Sequence, residues 1–103
     1  MPDRLTGLRA GSGPALVLVH GYLGGAAMWE REAARFSDAF DVIAPDLPGF
    51  GDSADVPAPD RIGGYAEAVL GHLDALGVGR FHLLGHSMGG MIAQEIAATA
   101  PER

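Results

Sequence analysis

The feature that most constrains this chain is the stretch Gly85-His86-Ser87-Met88-Gly89. It is wedged between an apolar run, Phe81 to Leu84, and a helix-period stretch from about Met88 to Thr99 that stops before Pro101. A strand that passes into a helix through a Gly-x-Ser-x-Gly turn forces the serine into a strained backbone. The flanking glycines let neighbouring chain approach where a Cβ would collide. Ser87 is thereby placed at a helix N-terminus, where free N–H groups and the helix dipole favour a developing anion. The spacing marks Ser87 as a candidate nucleophile and the Met88 N–H as a donor toward its reaction centre. The motif is short, and most of its weight comes from the strand–turn–helix setting. Read structurally alone, it is a glycine-rich helix start with a capping serine.

The rest of the chain repeats that alternation. Ala15 to Val19 is a continuous apolar run of strand length, which suits a strand covered on both faces. After Gly21, Gly24 and Gly25, the residues Trp29, Ala33, Phe36 and Phe40 recur at helical spacing and predict a helix from about Ala26 to Ala39, its aromatic stripe facing the core. Asp41 to Ala44 reads as a strand closed by Pro45. Asp46 to Ser53 is dense in turn formers, and Pro57 and Pro59 extend that loop to Asp60, the expected N-cap of the next helix. On that helix Ile62, Tyr65, Ala66, Val69, Leu73 and Leu76 share one face, and Gly77 ends it. Leu5 to Leu8 could add one short strand, interrupted by Gly7. The resulting order, β-α-β-loop-α-β-α, calls for a parallel sheet with helices on both faces and right-handed crossovers.

A chain of 103 residues has room for one core, so residues 1–103 are expected to form a single domain. The hydrophobic fraction of 48% against 19% charged residues is that of a globular chain rather than a disordered one. Thirteen acidic and seven basic residues, every basic one an arginine, give a net charge of −6. With no basic cluster, neither nucleic acid nor an anionic membrane surface is an expected partner. The absence of cysteine excludes disulfides, thiolate metal sites and a cysteine nucleophile. No His/Asp/Glu grouping has metal-ligand spacing, and no cofactor is expected. The apolar run Ala15 to Val19 is too short for a membrane helix or a signal-peptide core, so the expected compartment is the cytoplasm.

His20-Gly21-Tyr22, at the end of the first apolar strand, supplies a second element. The N–H of Tyr22 can be presented toward the same point as that of Met88, and two convergent N–H groups would hold a tetrahedral intermediate's oxygen. The side chain of His20 reads as a hydrogen-bonded structural histidine.

Three motifs together carry a family resemblance: His20-Gly21-Tyr22-Leu23-Gly24-Gly25, Asp46-Leu47-Pro48-Gly49-Phe50-Gly51-Asp52-Ser53 and Gly85-His86-Ser87-Met88-Gly89-Gly90. In order and approximate spacing the chain resembles the N-terminal part of an α/β-hydrolase-fold protein, from Gly11 to Arg103. The resemblance implies a serine nucleophile at Ser87, an oxyanion hole from the Tyr22 and Met88 N–H groups, and His20, Gly21, Gly85, His86 and Gly89 as the supporting motif. A serine at this elbow, where some relatives carry Asp, speaks against dehalogenase or epoxide hydrolase chemistry. Met88 is similar to its counterpart in many esterases, C–C bond hydrolases, lactonases and cofactor-free haloperoxidases. The implied substrate is a small molecule.

The resemblance also implies parts that this sequence lacks. In that fold an Asp or Glu and then a His follow the serine. Met88 to Arg103 contain no His and no Asp, and Glu95 lies two turns along the helix from Ser87. Of the other histidines, His86 should point away from Ser87, His72 should be solvated and His82 should be packed within its strand. The general base, its orienting acid, the lid and the last strands are thus expected to be missing. Phe81 to Leu84 should keep an unpaired apolar edge able to associate with itself or with a complementing chain. Two functions remain open: a serine hydrolase represented by its nucleophile half, poorly active alone, or a non-catalytic remnant that serves as a binding or assembly partner. Gly49-x-Gly51-x-x-Ala54 superficially matches a dinucleotide fingerprint, but no helix can open directly after it through Pro57 and Pro59. Gly11-Ser12-Gly13-Pro14 reads as a turn.

Overall fold

A computed structural model describes residues 5–103. Four strands, β1 (Gly7–Ala10), β2 (Ala15–Val19), β3 (Asp41–Pro45) and β4 (Phe81–Gly85), form one sheet in the order β1-β3-β2-β4. Helices α1 (Glu30–Phe36), α2 (Ile62–Ala75) and α3 (Met88–Thr99) connect or follow them, with 3-10 turns at Ala26–Trp29 and Gly51–Ser53.

The three strands read from their apolar runs are parallel, as their alternation with helices requires. Ala15 pairs with both Asp41 and Phe81, and Val17 with both Ile43 and Leu83. The first strand stands outside this parallel set and two residues on from the expected Leu5 to Leu8. It runs Gly7–Ala10 and pairs antiparallel with β3, Leu8 opposite Ala44 and Ala10 opposite Val42. A β1–β2 link from Gly11 to Pro14 is far too short for a parallel crossover, so β1 turns back along the sheet edge. Gly11, at φ 90°, makes the bend, and a side chain there would put its Cβ against the carbonyl oxygens of Phe40 and Ser37. Across this pair Arg9 makes a two-pronged ion pair with Asp41 (3.1 and 2.9 Å), and those hydrogen bonds raise the Arg9 guanidinium above its ordinary pKa.

Period-2 alternation sorts the strands between two cores. Val17, Val19 and Ile43 pack on one face against Tyr65, Ala66, Val69 and Leu73 of α2 and Ile92 and Ile96 of α3. Leu18, Val42 and Ala44 pack on the other against Ala26, Trp29 and Ala33. Each fully buried Val, Leu or Ile contributes about 1.5–3 kcal/mol, which is why β2, buried on both faces, reads as an unbroken apolar run.

Two helices differ from expectation at their starts. The Ala26–Ala39 helix is a 3-10 turn followed by seven residues of α-helix, because three glycines in the preceding five leave its first turn tight. Phe36 near its end is exposed, so the aromatic stripe is core at Trp29 and surface at Phe36. Helix α2 is capped by Arg61 rather than Asp60, with no side-chain hydrogen bond at the cap. Its predicted apolar face is the face that packs.

Within the described residues β4 lies at the sheet edge, next to β2 alone. Phe81 and Leu83 turn inward, whereas His82 and Leu84 face outward and Leu84 is 48% exposed. His82 therefore does not pack within its strand as expected. It is exposed, with its ring edge-on to Phe40 at 5.9 Å. His72, expected in solvent, is buried, because the segment entering β1 crosses α2 and the Leu5 N–H donates to His72 Nδ1 at 2.9 Å. No helix of the described residues is long and apolar enough to cross a membrane, and no cluster of three or more His, Asp or Glu among them could hold a metal ion.

Candidate active site

Strand β4 ends at Gly85 and helix α3 begins at Met88, which leaves two residues to reverse the chain. Ser87 takes φ 59°, ψ −122°, a region costing a non-glycine residue about 1–3 kcal/mol that the surroundings must sustain. They do so by close backbone approach. A Cβ at Gly85 would fall within 2.1 Å of the Gly89 carbonyl oxygen, and one at Gly89 within 2.1 Å of the Val19 oxygen and 2.6 Å of the His20 oxygen. The turn is held by His86 N–H donating to Val19 O (3.1 Å), Gly89 N–H to His86 O (2.9 Å) and Gly90 N–H to Ser87 O (2.8 Å).

The end of β2 meets this turn. A side chain at Gly21 would place its Cβ 2.9 Å from Ser87 Cβ, 3.0 Å from His86 O and 3.4 Å from Ser87 Oγ. The His20–Tyr22 segment and the Ser87 turn, 65 residues apart in the chain, are thus in contact, as their motifs predict. Among the described residues neither the Tyr22 nor the Met88 N–H donates to any acceptor, and Ser87 Oγ makes no hydrogen bond. Unsatisfied donors at a helix start and at a tight turn can receive an anionic oxygen.

The loop Gly21–Ala26 has its own scaffold. His20 is wholly buried, with Nδ1 donating to Gly21 O at 2.7 Å and Nε2 accepting from Leu47 N–H at 3.0 Å. Because a carbonyl can only accept and an N–H only donate, this pairing fixes the tautomer with its proton on Nδ1. His20 is the structural histidine its position suggested. Leu23, at φ 64°, tightens the turn closed by Gly24 N–H on Gly21 O (3.0 Å). Phe50 sets its ring edge-on to both His20 and Tyr22, centroids 5.6 Å apart in each case. Tyr22 and Leu23, next to Gly21 in the chain, are 68% and 78% exposed.

Sequence reasoning treated Asp46 to Ser53 as a turn-rich motif without assigning its side chains. Asp46 is buried and takes four roles in the site's support. Its Oδ1 accepts from Ala26 N–H at 2.7 Å, and its Oδ2 accepts from Thr6 Oγ1 (3.2 Å) and Asp52 N–H (3.3 Å), while its own N–H donates to Thr6 O (2.8 Å). The sequence signal was available: an acid between a strand and a glycine-rich loop stands among backbone N–H groups that it can accept from, as it does from those of Ala26 and Asp52. A cavity of about 500 Å³ lined by Pro14, Ala15, Arg80, Phe81, His82 and Arg103 is remote from these groups. Ala15 and Phe81 start the strands whose far ends carry His20 and Ser87.

A mostly parallel sheet in which a strained serine links strand to helix, beside a glycine-rich turn from the neighbouring strand, defines an α/β-hydrolase type of domain. The chain belongs to the alpha/beta hydrolase fold family, whose family model matches residues 14–103. It is 45% identical over 99 residues to a 2-hydroxy-6-oxo-6-phenylhexa-2,4-dienoate hydrolase of Comamonas testosteroni, a match covering 91% of this chain and 35% of that protein. Among solved structures it is similar to a thermophilic esterase of Thermogutta terrifontis, with TM-score 0.90, 35% identity and 96% of this chain against 37% of that one. It is also similar to a bacterial membrane phospholipase A, with TM-score 0.86, 43% identity and 91% of this chain against 31% of that one. The chain spans between 25% and 35% of the length of the curated relatives it matches.

Proposed function

We propose that these residues form the nucleophile half of a hydrolase that cleaves an ester or a related acyl or C–C bond through Ser87. Ser87 Oγ attacks the substrate's carbonyl carbon, and the oxygen that becomes anionic is held by the N–H groups of Tyr22 and Met88. A general base takes the Ser87 proton and passes it to the leaving group. The base then takes a proton from water, whose oxygen attacks the acyl carbon, and delivers that proton to Ser87 Oγ as the acyl–oxygen bond breaks and the acid product leaves. One observation supports the reading: Gly21 lies against Ser87, so the loop that carries the Tyr22 N–H meets the turn that precedes the Met88 N–H, and neither N–H is engaged among the described residues. The names of its relatives, a 2-hydroxy-6-oxo-6-phenylhexa-2,4-dienoate hydrolase and an esterase among them, agree with it.

No described residue hydrogen-bonds Ser87 Oγ, and this reading takes the base from outside them. A lone serine hydroxyl is a weak nucleophile, so turnover by residues 1–103 alone should be low. The same reading gives Leu84 and the open side of β4 the role of the face against which a complementing segment would be seated.

The test is labelling of the chain by a fluorophosphonate probe with imidazole added as a surrogate base, beside Ser87→Ala. Labelling that maps to Ser87, rises with imidazole concentration and vanishes in the variant is expected. Labelling elsewhere, or labelling that the variant retains, would overturn the reading.

A further inference from the structure

We infer that Asp46 is a positioning residue for the Tyr22 N–H, acting with Leu47 as a two-residue clamp on the loop Gly21–Ala26. The inference rests on the role proposed above for that N–H. Leu47 holds the loop's start, since its N–H donates to His20 Nε2 and the opposite ring nitrogen grips Gly21 O. Asp46 holds the loop's end, its Oδ1 accepting from Ala26 N–H at 2.7 Å. Between these two anchors stand only Tyr22 to Gly25, turned by Leu23 at φ 64°. A loop with adjacent residues of one strand end gripping both its ends has little freedom to shift Tyr22 along the direction of its N–H.

The carboxylate is itself fixed. Thr6 Oγ1 and Asp52 N–H occupy Oδ2, and Thr6 Oγ1 lies 2.9 Å from Ser53 Oγ. Gly51 lies against Asp46 so closely that a Cβ there would come within 2.2 Å of Oδ1, and a Cβ at Gly25 would come within 3.3 Å of the same oxygen. The glycines at 25 and 51 thus clear the volume that the carboxylate fills. A charge-assisted bond to a backbone N–H is among the stronger hydrogen bonds available, and here it spans 20 residues to reach the loop beside Ser87. Among the described residues the one ring contact of the Tyr22 side chain is edge-on from Phe50, which cannot fix its backbone direction. The oxyanion donor's placement is therefore delegated to Asp46 and Leu47.

The experiment uses ¹⁵N-labelled chain with Asp46→Ala and Asp46→Asn, read by backbone order parameters and by titration with phenylboronic acid. The boronate adds to Ser87 Oγ and offers a tetrahedral anionic oxygen to the Tyr22 and Met88 amides. In D46A the order parameters of Tyr22 to Gly25 are expected to fall from about 0.85 to below about 0.6, with Met88 and Gly89 unchanged. The boronate-induced shift at Tyr22 is expected to vanish while that at Met88 remains, and affinity to drop about 10–100-fold. D46N, which keeps an acceptor for Ala26 N–H, should restore the Tyr22 order and shift. A Tyr22 amide as rigid in D46A as in wild type, or loosening that spreads equally to Met88, would overturn the inference. If D46A does not fold, Gly51→Ala decides, since its Cβ would come within 2.2 Å of Oδ1 and must push the carboxylate, still present, off Ala26 N–H. Loss of order at Tyr22 and Leu23 alone then supports the inference, and no change overturns it. A wild-type chain that gives no boronate response at Ser87 sinks the proposed chemistry, while the order parameters still decide whether Asp46 holds the loop.

Discussion

Gly21 and Ser87 stand so close that the smallest side chain at position 21 would put its Cβ 2.9 Å from that of Ser87. The contact unites the ends of two adjacent parallel strands, with Gly21 on one side and the Ser87 side chain and the His86 carbonyl on the other. A first prediction follows for Gly21→Ala. The turn at His86–Ser87 is backbone and cannot swing aside as a flexible side chain would, so the loop and the turn must separate by several tenths of an ångström. Imidazole-dependent labelling at Ser87 should fall by roughly 10–100-fold, since misplacement on this scale disrupts an attack geometry. Circular dichroism should show the fold retained, and unchanged labelling would argue that the contact is slack.

Ser87 itself should be a site where function opposes stability. At φ 59°, ψ −122° its Cβ is the source of strain, and glycine removes it. Relative to Ser87→Ala, which keeps the Cβ, Ser87→Gly should be more stable by about 1 kcal/mol after the entropic cost of glycine is deducted. Urea denaturation of the two variants measures the difference, and an S87G chain no more stable than S87A would contradict it.

Two neighbouring glycines in α3 should respond with opposite sign to the same substitution. A Cβ at Gly89 would run into the carbonyl oxygens of Val19 and His20, whereas at Gly90 the nearest atom is Gly85 O at 3.8 Å. Gly89→Ala should forfeit about 3 kcal/mol by forcing α3 off β2. Gly90→Ala should gain up to about 1 kcal/mol from helix propensity. Thermal unfolding of the pair is the check, and parallel shifts would show that the helix start is not as close to β2 as described.

His20→Ala should be costly without touching the reacting atoms. It leaves the buried Leu47 N–H and the Gly21 carbonyl without their partners and opens a cavity in a fully buried position. The loss should be about 3 kcal/mol, measured by denaturant unfolding. A loss below about 0.5 kcal/mol, the range of ordinary surface substitutions, would mean that water or a loop shift replaces the ring.

The outer edge of β4 carries unpaired backbone groups beside Leu84, exposed to 48%. Such an edge is a template for pairing with a second copy. Sedimentation velocity should show concentration-dependent association that Leu84→Lys weakens. A monomer at all concentrations would exclude it.

Much of this architecture was legible in the residues because it follows from local rules. The apolar runs at Ala15–Val19, Asp41–Ala44 and Phe81–Leu84, the helical periodicity of Tyr65, Val69 and Leu73, and the turn glycines each report a preference that needs no distant partner. The strained serine could be placed because its strand, turn and helix are contiguous.

What tertiary structure decided are the relations that join segments far apart in the chain. Nothing local to His72 signals that the N-terminal segment will cover it, nor that β1 will pair antiparallel with β3 rather than extend the parallel set. Of the four roles of Asp46, the one toward Asp52 is local to its loop, whereas those on Thr6 and Ala26 need groups that become its neighbours only once β1, β2 and β3 lie in one sheet. By itself the sequence determined which segments are strands and helices and where the backbone must strain. Only the folded chain decided which buried polar group satisfies which. A hydrogen bond requires its partners within about 3 Å, and for residues far apart in the chain it is the sheet order that brings them that close.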